Sequence, residues 1–92
     1  LVVVDAPFAA ERDGVAFGDQ EEMGFGVRVA TGLTAARGGK LVDAGGHVNE
    51  KAVRGRSADW CDARGTADGK TAGVTVFAHP ENFRKPWWHA RD

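Results

Sequence analysis

Two strand-like runs on either side of Asp68-Gly69 constrain the fold of this chain more than any other feature. Asp-Gly is a strong signal for a two-residue type I′ turn, which joins antiparallel strands. With these two residues as the loop, every cross-strand pair follows by counting outward from the turn. The sequence therefore predicts a β-hairpin with strands near 57–66 and 71–79.

This register gives the hairpin two faces of different chemistry. The first is small and apolar, as a core requires, and carries Cys61, Ala63, Val74, Val76 and Ala78. The second carries Trp60, Asp62, Thr75, Phe77 and His79. Aromatic rings interleaved with an acid, a hydroxyl and an imidazole are typical of a ligand-binding surface. Packing of this face under a second layer is the competing interpretation, and both stay open at this point.

A further strand is predicted at 23–30, where apolar and small residues alternate strictly. Met23, Phe25, Val27 and Val29 would lie on one side, and glycines leave the other side almost bare. Arg28 would stand out from that bare side as a substrate-binding residue, and its extension into solvent is the alternative. A second, smaller hairpin is predicted around 40–49.

Thirteen glycines and three prolines, with β-branched and aromatic residues between them, favour short strands joined by tight turns. The predicted fold class is all-β, an antiparallel sheet that forms part of a larger β-sandwich. Because the chain starts at Leu1 without Met and stops just after an aromatic cluster, we expect residues 1–92 to be a partial β-sandwich domain, truncated at both ends. Its main partner would then be the rest of its own chain.

Charge and hydropathy exclude two classes of partner. Twelve Lys and Arg against thirteen Asp and Glu give no general attraction to nucleic acid. No run approaches the roughly 20 apolar residues that span a bilayer, so we expect a soluble chain, in a compartment that the sequence does not identify. The single cysteine, Cys61, excludes an internal disulfide and a cysteine-only zinc site, and its place on the apolar face favours a buried structural thiol.

The segment 79–92 combines polar and aromatic residues with two prolines, which favours an ordered, extended loop. His79 and His89 are its candidate acid/base residues. As metal ligands they match no compact motif, so no metal site is predicted and the cofactor stays open. Glu21 and Glu22 are also candidate acids, but neighbours on a strand point to opposite faces, so at most one belongs to a site.

In order and spacing, the chain from Phe17 onward resembles the PmoA-like family catalogued as methane oxygenases. The segments that carry the resemblance are 17–31, 38–42, Gly55 with 58–62, Gly65, Gly69, Gly73, 79–83 and 88–92. By its label the resemblance implies an oxygenase. By the association of family members with sugar-processing oxidoreductases and hydrolases, it implies a carbohydrate-related role.

The function expected from the sequence is thus that of a carbohydrate-related enzyme that binds a small molecule, with a sugar as the candidate ligand, at a polar and aromatic site. His79 and His89 would be catalytic, and the substrate-binding residues would be Arg28, Trp60, Asp62, Asn82, Trp88 and Arg91. The alternatives are a noncatalytic carbohydrate-binding or structural β-domain and a metal-dependent oxygenase.

Overall fold

The chain folds around a three-stranded antiparallel sheet in the order β1-β2-β3. The computed structural model describes residues 1–18, 20 and 24–91. The strands are β1 (Lys40–Asp43), β2 (Trp60–Ala67) and β3 (Lys70–Phe77). The helical elements are short: α1 (Glu50–Val53) and two single 3-10 turns, Thr31–Leu33 and Ala35–Arg37. A sheet with so little helix agrees with the predicted all-β class.

The hairpin forms in the predicted register. Trp60 pairs with Phe77 and Ala67 with Lys70, so the two-residue loop is Asp68 and Gly69. Both loop residues have positive φ, 50° and 73°, as a type I′ turn requires. Pairing continues past the strand ends, because the Ala78 N–H donates to the Asp59 carbonyl at 2.9 Å.

The core lies on the apolar face of β2. Its buried apolar side chains are Leu33, Val53, Cys61 and Ala63. A Cβ added at Gly65 would collide with the Gly32 carbonyl, so the first 3-10 turn rests directly on the backbone of β2. This close approach requires glycine at position 65 and places Leu33 over the sheet.

A buried carboxylate closes the turn after β1. Asp43 is 1% exposed and accepts hydrogen bonds from the Gly45 N–H at 2.9 Å, the His47 N–H at 3.0 Å and the His47 Nδ1 at 2.9 Å. Burial alone would raise the pKa of Asp43, but the hydrogen bonds and charge of His47, with the Gly45 N–H, outweigh it and leave the pKa lowered. The smaller predicted hairpin therefore forms, although its second arm is not a full strand and pairs through a single bridge between Val42 and Val48.

The strand predicted at 23–30 is wrong for the part that the structure describes. Residues 24–30 contain no strand, Gly24 has a φ of 102°, and Phe25 and Val27 are 66% and 46% exposed. Alternation alone does not make a strand, since a strand needs the ladder of a neighbour, and glycines add entropy to the unpaired chain. Met23, Glu21 and Glu22 lie outside the described residues.

Residues 1–18 extend away from the sheet. The radius of gyration is 14.9 Å, whereas a compact chain of this length would give roughly 12 Å. Residues 1–18 are all exposed, and Phe8 and Phe17 contact each other edge to face at 5.2 Å. No helix in the described part of the chain is long and apolar enough to cross a membrane.

We expect Asp43→Asn to destabilise the fold by about 1–3 kcal/mol at pH 7, because buried donors lose their charged acceptor. The folded pKa of Asp43 is below its ordinary value of 3.8, so its contribution is complete above that pH and is lost as the pH falls through the folded pKa. Denaturant unfolding at pH 7 and near pH 3 should therefore show the difference between variant and wild type shrinking in acid.

Asp68→Asn is the matched control for this test, since Asp68 is exposed in the turn and asparagine tolerates its positive φ. Its stability should stay near that of the wild type at both values of pH. A destabilisation by Asp43→Asn that is equally large in acid would show that the charge of Asp43 has no part in it.

Candidate functional site

The sheet face opposite the core carries an open depression. It measures about 270 Å³ and is lined by Trp60, Asp62, Arg64, Thr75 and Phe77. A second depression of about 330 Å³ adjoins it toward the turn and shares Asp62, Arg64 and Thr75. These residues alternate along β2 and β3, so the pleat of the hairpin puts them on one side. We refer to the five lining residues of the first depression as the open-face site.

Two aromatic residues form one end of the open-face site. Trp60 and Phe77 are register partners on neighbouring strands, so their rings project from the same face side by side. Trp60 is half-buried, whereas Phe77 is 67% exposed. The structure thus presents an aromatic surface to solvent beside the polar residues of the site.

Asp62 is the polar centre of the open-face site. It is 6% exposed and accepts hydrogen bonds from Thr75 Oγ1 and Arg64 Nε, both at 2.6 Å. Burial would raise the pKa of Asp62, but the hydrogen bonds of Thr75 and Arg64 and the charge of Arg64 leave it lowered. The carboxylate is therefore ionised at neutral pH, where it can accept hydrogen bonds but cannot donate a proton.

Two of the predicted site residues, His79 and Asn82, lie in a local turn just beyond β3. Both are exposed, the Glu81 N–H donates to His79 Nδ1 at 3.1 Å, and the Asn82 N–H donates to the His79 carbonyl at 3.0 Å. His79 follows Phe77 by two residues, so it lies next to the aromatic end of the site along the chain.

The last predicted residues lie in the segment around Trp88, which runs back along residues 55–58 just before β2. We call this segment the strap. The Trp88 indole N–H donates to the Ala58 carbonyl at 2.9 Å, and the Trp88 N–H donates to the Arg56 carbonyl at 3.0 Å. The Gly55 N–H in turn donates to the Trp88 carbonyl at 2.9 Å. The tryptophan predicted to bind substrate thus clamps the chain. His89 beside it is half-buried and Arg91 is exposed.

The structure therefore joins only part of the predicted set in one depression. Trp60 and Asp62 line it, whereas Arg28 is an exposed residue of the unpaired segment before the sheet. The catalytic roles of His79 and His89, and the binding roles of the other residues, stay predictions.

Sequence reasoning missed two features of the structure. Arg64 continues the two-residue alternation of Trp60 and Asp62, so the same pattern could have identified it. The pair of Asp43 and His47 had no comparable signal, because the contact spans a turn and needs Gly45, where a Cβ would lie 2.9 Å from the imidazole ring. The His47 Nδ1 lies 2.9 Å from the carboxylate, and the His47 side chain is 36% exposed.

Possible metal ligands do not cluster in the described part of the chain: no group of three or more His, Cys, Asp or Glu residues there could hold a metal ion.

Cys61 is buried between two carboxylates. It is 8% exposed, pairs with Asp43 of β1 and precedes Asp62. Burial, and then the charges of Asp43 and Asp62, raise the pKa of the Cys61 thiol to about 11. A thiol in this setting is protonated at neutral pH and is a poor nucleophile, in agreement with the structural thiol predicted from the sequence.

Comparison with known families matches the whole chain, residues 1–92, to one described as "Family of unknown function (DUF6807)". This match corrects the family assignment made from the sequence, because nothing in it links the chain to PmoA-like methane oxygenases. No curated protein and no solved structure matches the chain.

The raised pKa predicts slow alkylation of Cys61. A shift from the ordinary value of 9.0 to about 11 lowers the thiolate fraction about 100-fold at pH 7.5, and burial slows the reaction further. We expect iodoacetamide to modify Cys61 in the native chain at least that much more slowly than in the urea-denatured chain, as followed by mass spectrometry. Equal rates in the two states would show that folding changes neither the accessibility nor the ionisation of the thiol, and would contradict the raised pKa.

Proposed function

The chain belongs to the DUF6807 family, and we propose that its open sheet face binds carbohydrate. The observation that carries the proposal is the side-by-side placement of Trp60 and Phe77 next to the hydrogen-bonded group of Asp62, Arg64 and Thr75. Aromatic rings and a few oriented polar groups on one open surface are what a sugar requires of a protein.

The aromatic end suits the apolar face of a pyranose. Sugar rings present C–H groups on one side, and these stack on exposed aromatic rings. Phe77 is exposed and Trp60 is half-buried, so a sugar could contact the former while the latter forms the floor. The depression is shallow and open, which favours a sugar lying across the sheet over a small molecule enclosed by it.

The polar end suits the hydroxyl groups. Arg64 donates its Nε–H to Asp62, and its side chain is 63% exposed, so its terminal N–H groups can reach a ligand. Because Asp62 holds both Arg64 and Thr75, these donors are oriented before the ligand arrives, which lowers the entropic cost of binding.

The lowered pKa of Asp62 argues against a general-acid role for this residue, since a general acid must be protonated at the working pH. Its carboxylate oxygens already accept hydrogen bonds from Thr75 and Arg64, which suits an orienting role in binding. A sugar-processing enzyme is the second candidate function. It is favoured by one observation: His79 is exposed and lies two residues beyond Phe77, where an imidazole could serve as acid or base. We also propose that the sheet is one layer of a larger β-sandwich, because Val74 on the core face is still 38% exposed.

The proposal predicts that Phe77→Ala weakens sugar binding about tenfold, because part of the 1.5–3 kcal/mol that burying a phenylalanine contributes would be lost. Arg64→Ala should also weaken it, through lost hydrogen bonds. Binding can be measured by screening a panel of soluble oligosaccharides and then titrating any ligand by calorimetry.

Phe83→Ala is the matched control, since Phe83 is 91% exposed but lies in the turn after β3. It should leave the affinity unchanged, and thermal melts should show all three variants folded. Equal loss of affinity in Phe83→Ala, or lowered melting of Phe77→Ala without any change in binding, would contradict a sugar site on this face and favour a packing surface.

A further inference from the structure

We propose that the outer edge of β3 binds residues 24–30 of a second copy of this chain as an additional strand. This interaction uses the backbone edge of the sheet and does not depend on the sugar-binding face. Three observations support the proposal: the backbone groups of β3 that point away from β2, the exposure of the core face at this edge, and the sequence pattern of the unpaired segment.

Backbone N–H and C=O groups of β3 point alternately toward β2 and away from it, and the turn determines which residues point away. The residues that flank a two-residue turn form a hydrogen-bonded pair, and such pairs then recur at every second position. The bond from the Ala78 N–H to Asp59 agrees with this alternation at the other end. Even-numbered residues of β3 therefore bond to β2. The N–H and C=O groups that point to the outer edge are those of Thr71, Gly73, Thr75 and Phe77.

This edge lacks the features that usually protect an edge strand. In the described residues β3 is the last strand of the sheet, and it is eight residues long. It contains no proline, and its single charge, Lys70, lies at its start. Long edges without proline, charge or a covering loop are templates for pairing with another chain.

The core face is also incomplete at this edge. Val74 lies on the same face as Cys61 and Ala63, but it is 38% exposed where they are 8% exposed. The difference follows from position, because the central strand is covered by the first 3-10 turn and the edge strand is not. A further strand with apolar residues on this side would contact Val74 from the edge, while the second layer proposed above would cover it from the face.

Residues 24–30 have the length and pattern that such a strand needs. Seven residues match the span from Thr71 to Phe77, and Phe25, Val27 and Val29 would all fall on one side. Phe25 is 66% exposed and Val27 46% exposed in the single chain, so pairing would bury apolar surface of both. Leu1–Val4 is also exposed, but its continuous apolar run suits a strand buried on both faces, whereas this sheet has one open face.

The second copy is the source of the segment because the chain's own residues 24–30 form no ladder with β3. Residues 24–28 and Ala30 are exposed, so another molecule can reach the segment. Arg28 is the one charged residue of the segment and Lys70 that of β3, and both are positive. With residues 24–30 antiparallel to residues 71–77, Arg28 would lie opposite Gly73, three positions from Lys70, so the two like charges would not face each other.

The test is sedimentation equilibrium of the 92-residue chain over a concentration series, with Val27→Asp and Thr71→Pro as disrupting variants. We expect reversible association in the wild type, weakened at least about tenfold by either variant. Val27 lies outside the sheet, so Val27→Asp should fold even if Thr71→Pro does not. Thr71→Ser retains the outward N–H and should associate like the wild type.

Amide hydrogen exchange identifies the surfaces used. On association, protection should rise at the outward amides of β3 and within 24–30. A chain that stays monomeric at all concentrations overturns the proposal, as does association that Val27→Asp leaves unchanged. Association abolished by removing Leu1–Val4 alone, or protection of 24–30 that is independent of concentration, also overturns it, because the occupant or its source would then be different.

Discussion

The alternating ladder that begins at the Asp68-Gly69 turn decides to which side of the sheet each residue of β2 and β3 points. Because side chains alternate along a strand, a shift of one residue in this ladder would exchange the core face and the open face. Cys61 and Ala63 would then point to solvent, and Trp60 and Asp62 would point to the 3-10 turn that covers β2. The two positive φ angles of the turn fix the register and with it both faces.

Two buried carboxylates lie next to Cys61: Asp43 opposite it on β1 and Asp62 directly after it on β2. The two have different hydrogen-bond partners. Asp43 is satisfied within one turn, mainly by His47, and serves the fold. Asp62 is satisfied across strands by Thr75 and a guanidinium that is itself exposed, so it connects the interior with the open face. The same residue type thus stabilises a turn on one side of the sheet and organises a surface on the other.

The sequence allowed the main hairpin to be predicted because its information is local: a turn with one favoured geometry and a strict count outward from it. The segment 24–30 has an equally clear pattern, yet it is not a strand, since pattern specifies which face is apolar and not whether a neighbour is present. Trp88 shows a further limit. The polar and aromatic composition of residues 79–92 indicated that Trp88 binds a ligand, but its indole N–H donates to the Ala58 carbonyl instead. This contact joins residues 30 positions apart, and no local pattern encodes it.

The strap at Trp88 has a consequence for the continuity of the chain. It fastens the stretch after the hairpin to residues 55–58, just before the hairpin begins, so β2, β3 and the turn at 79–82 form one closed circuit of hydrogen bonds. A protease that cut the exposed stretch between Glu81 and Lys85 would leave β3 bonded to β2 on one side of the break and Trp88 bonded to Gly55, Arg56 and Ala58 on the other. The nicked molecule would stay in one piece, held by the sheet and the strap instead of the peptide bond.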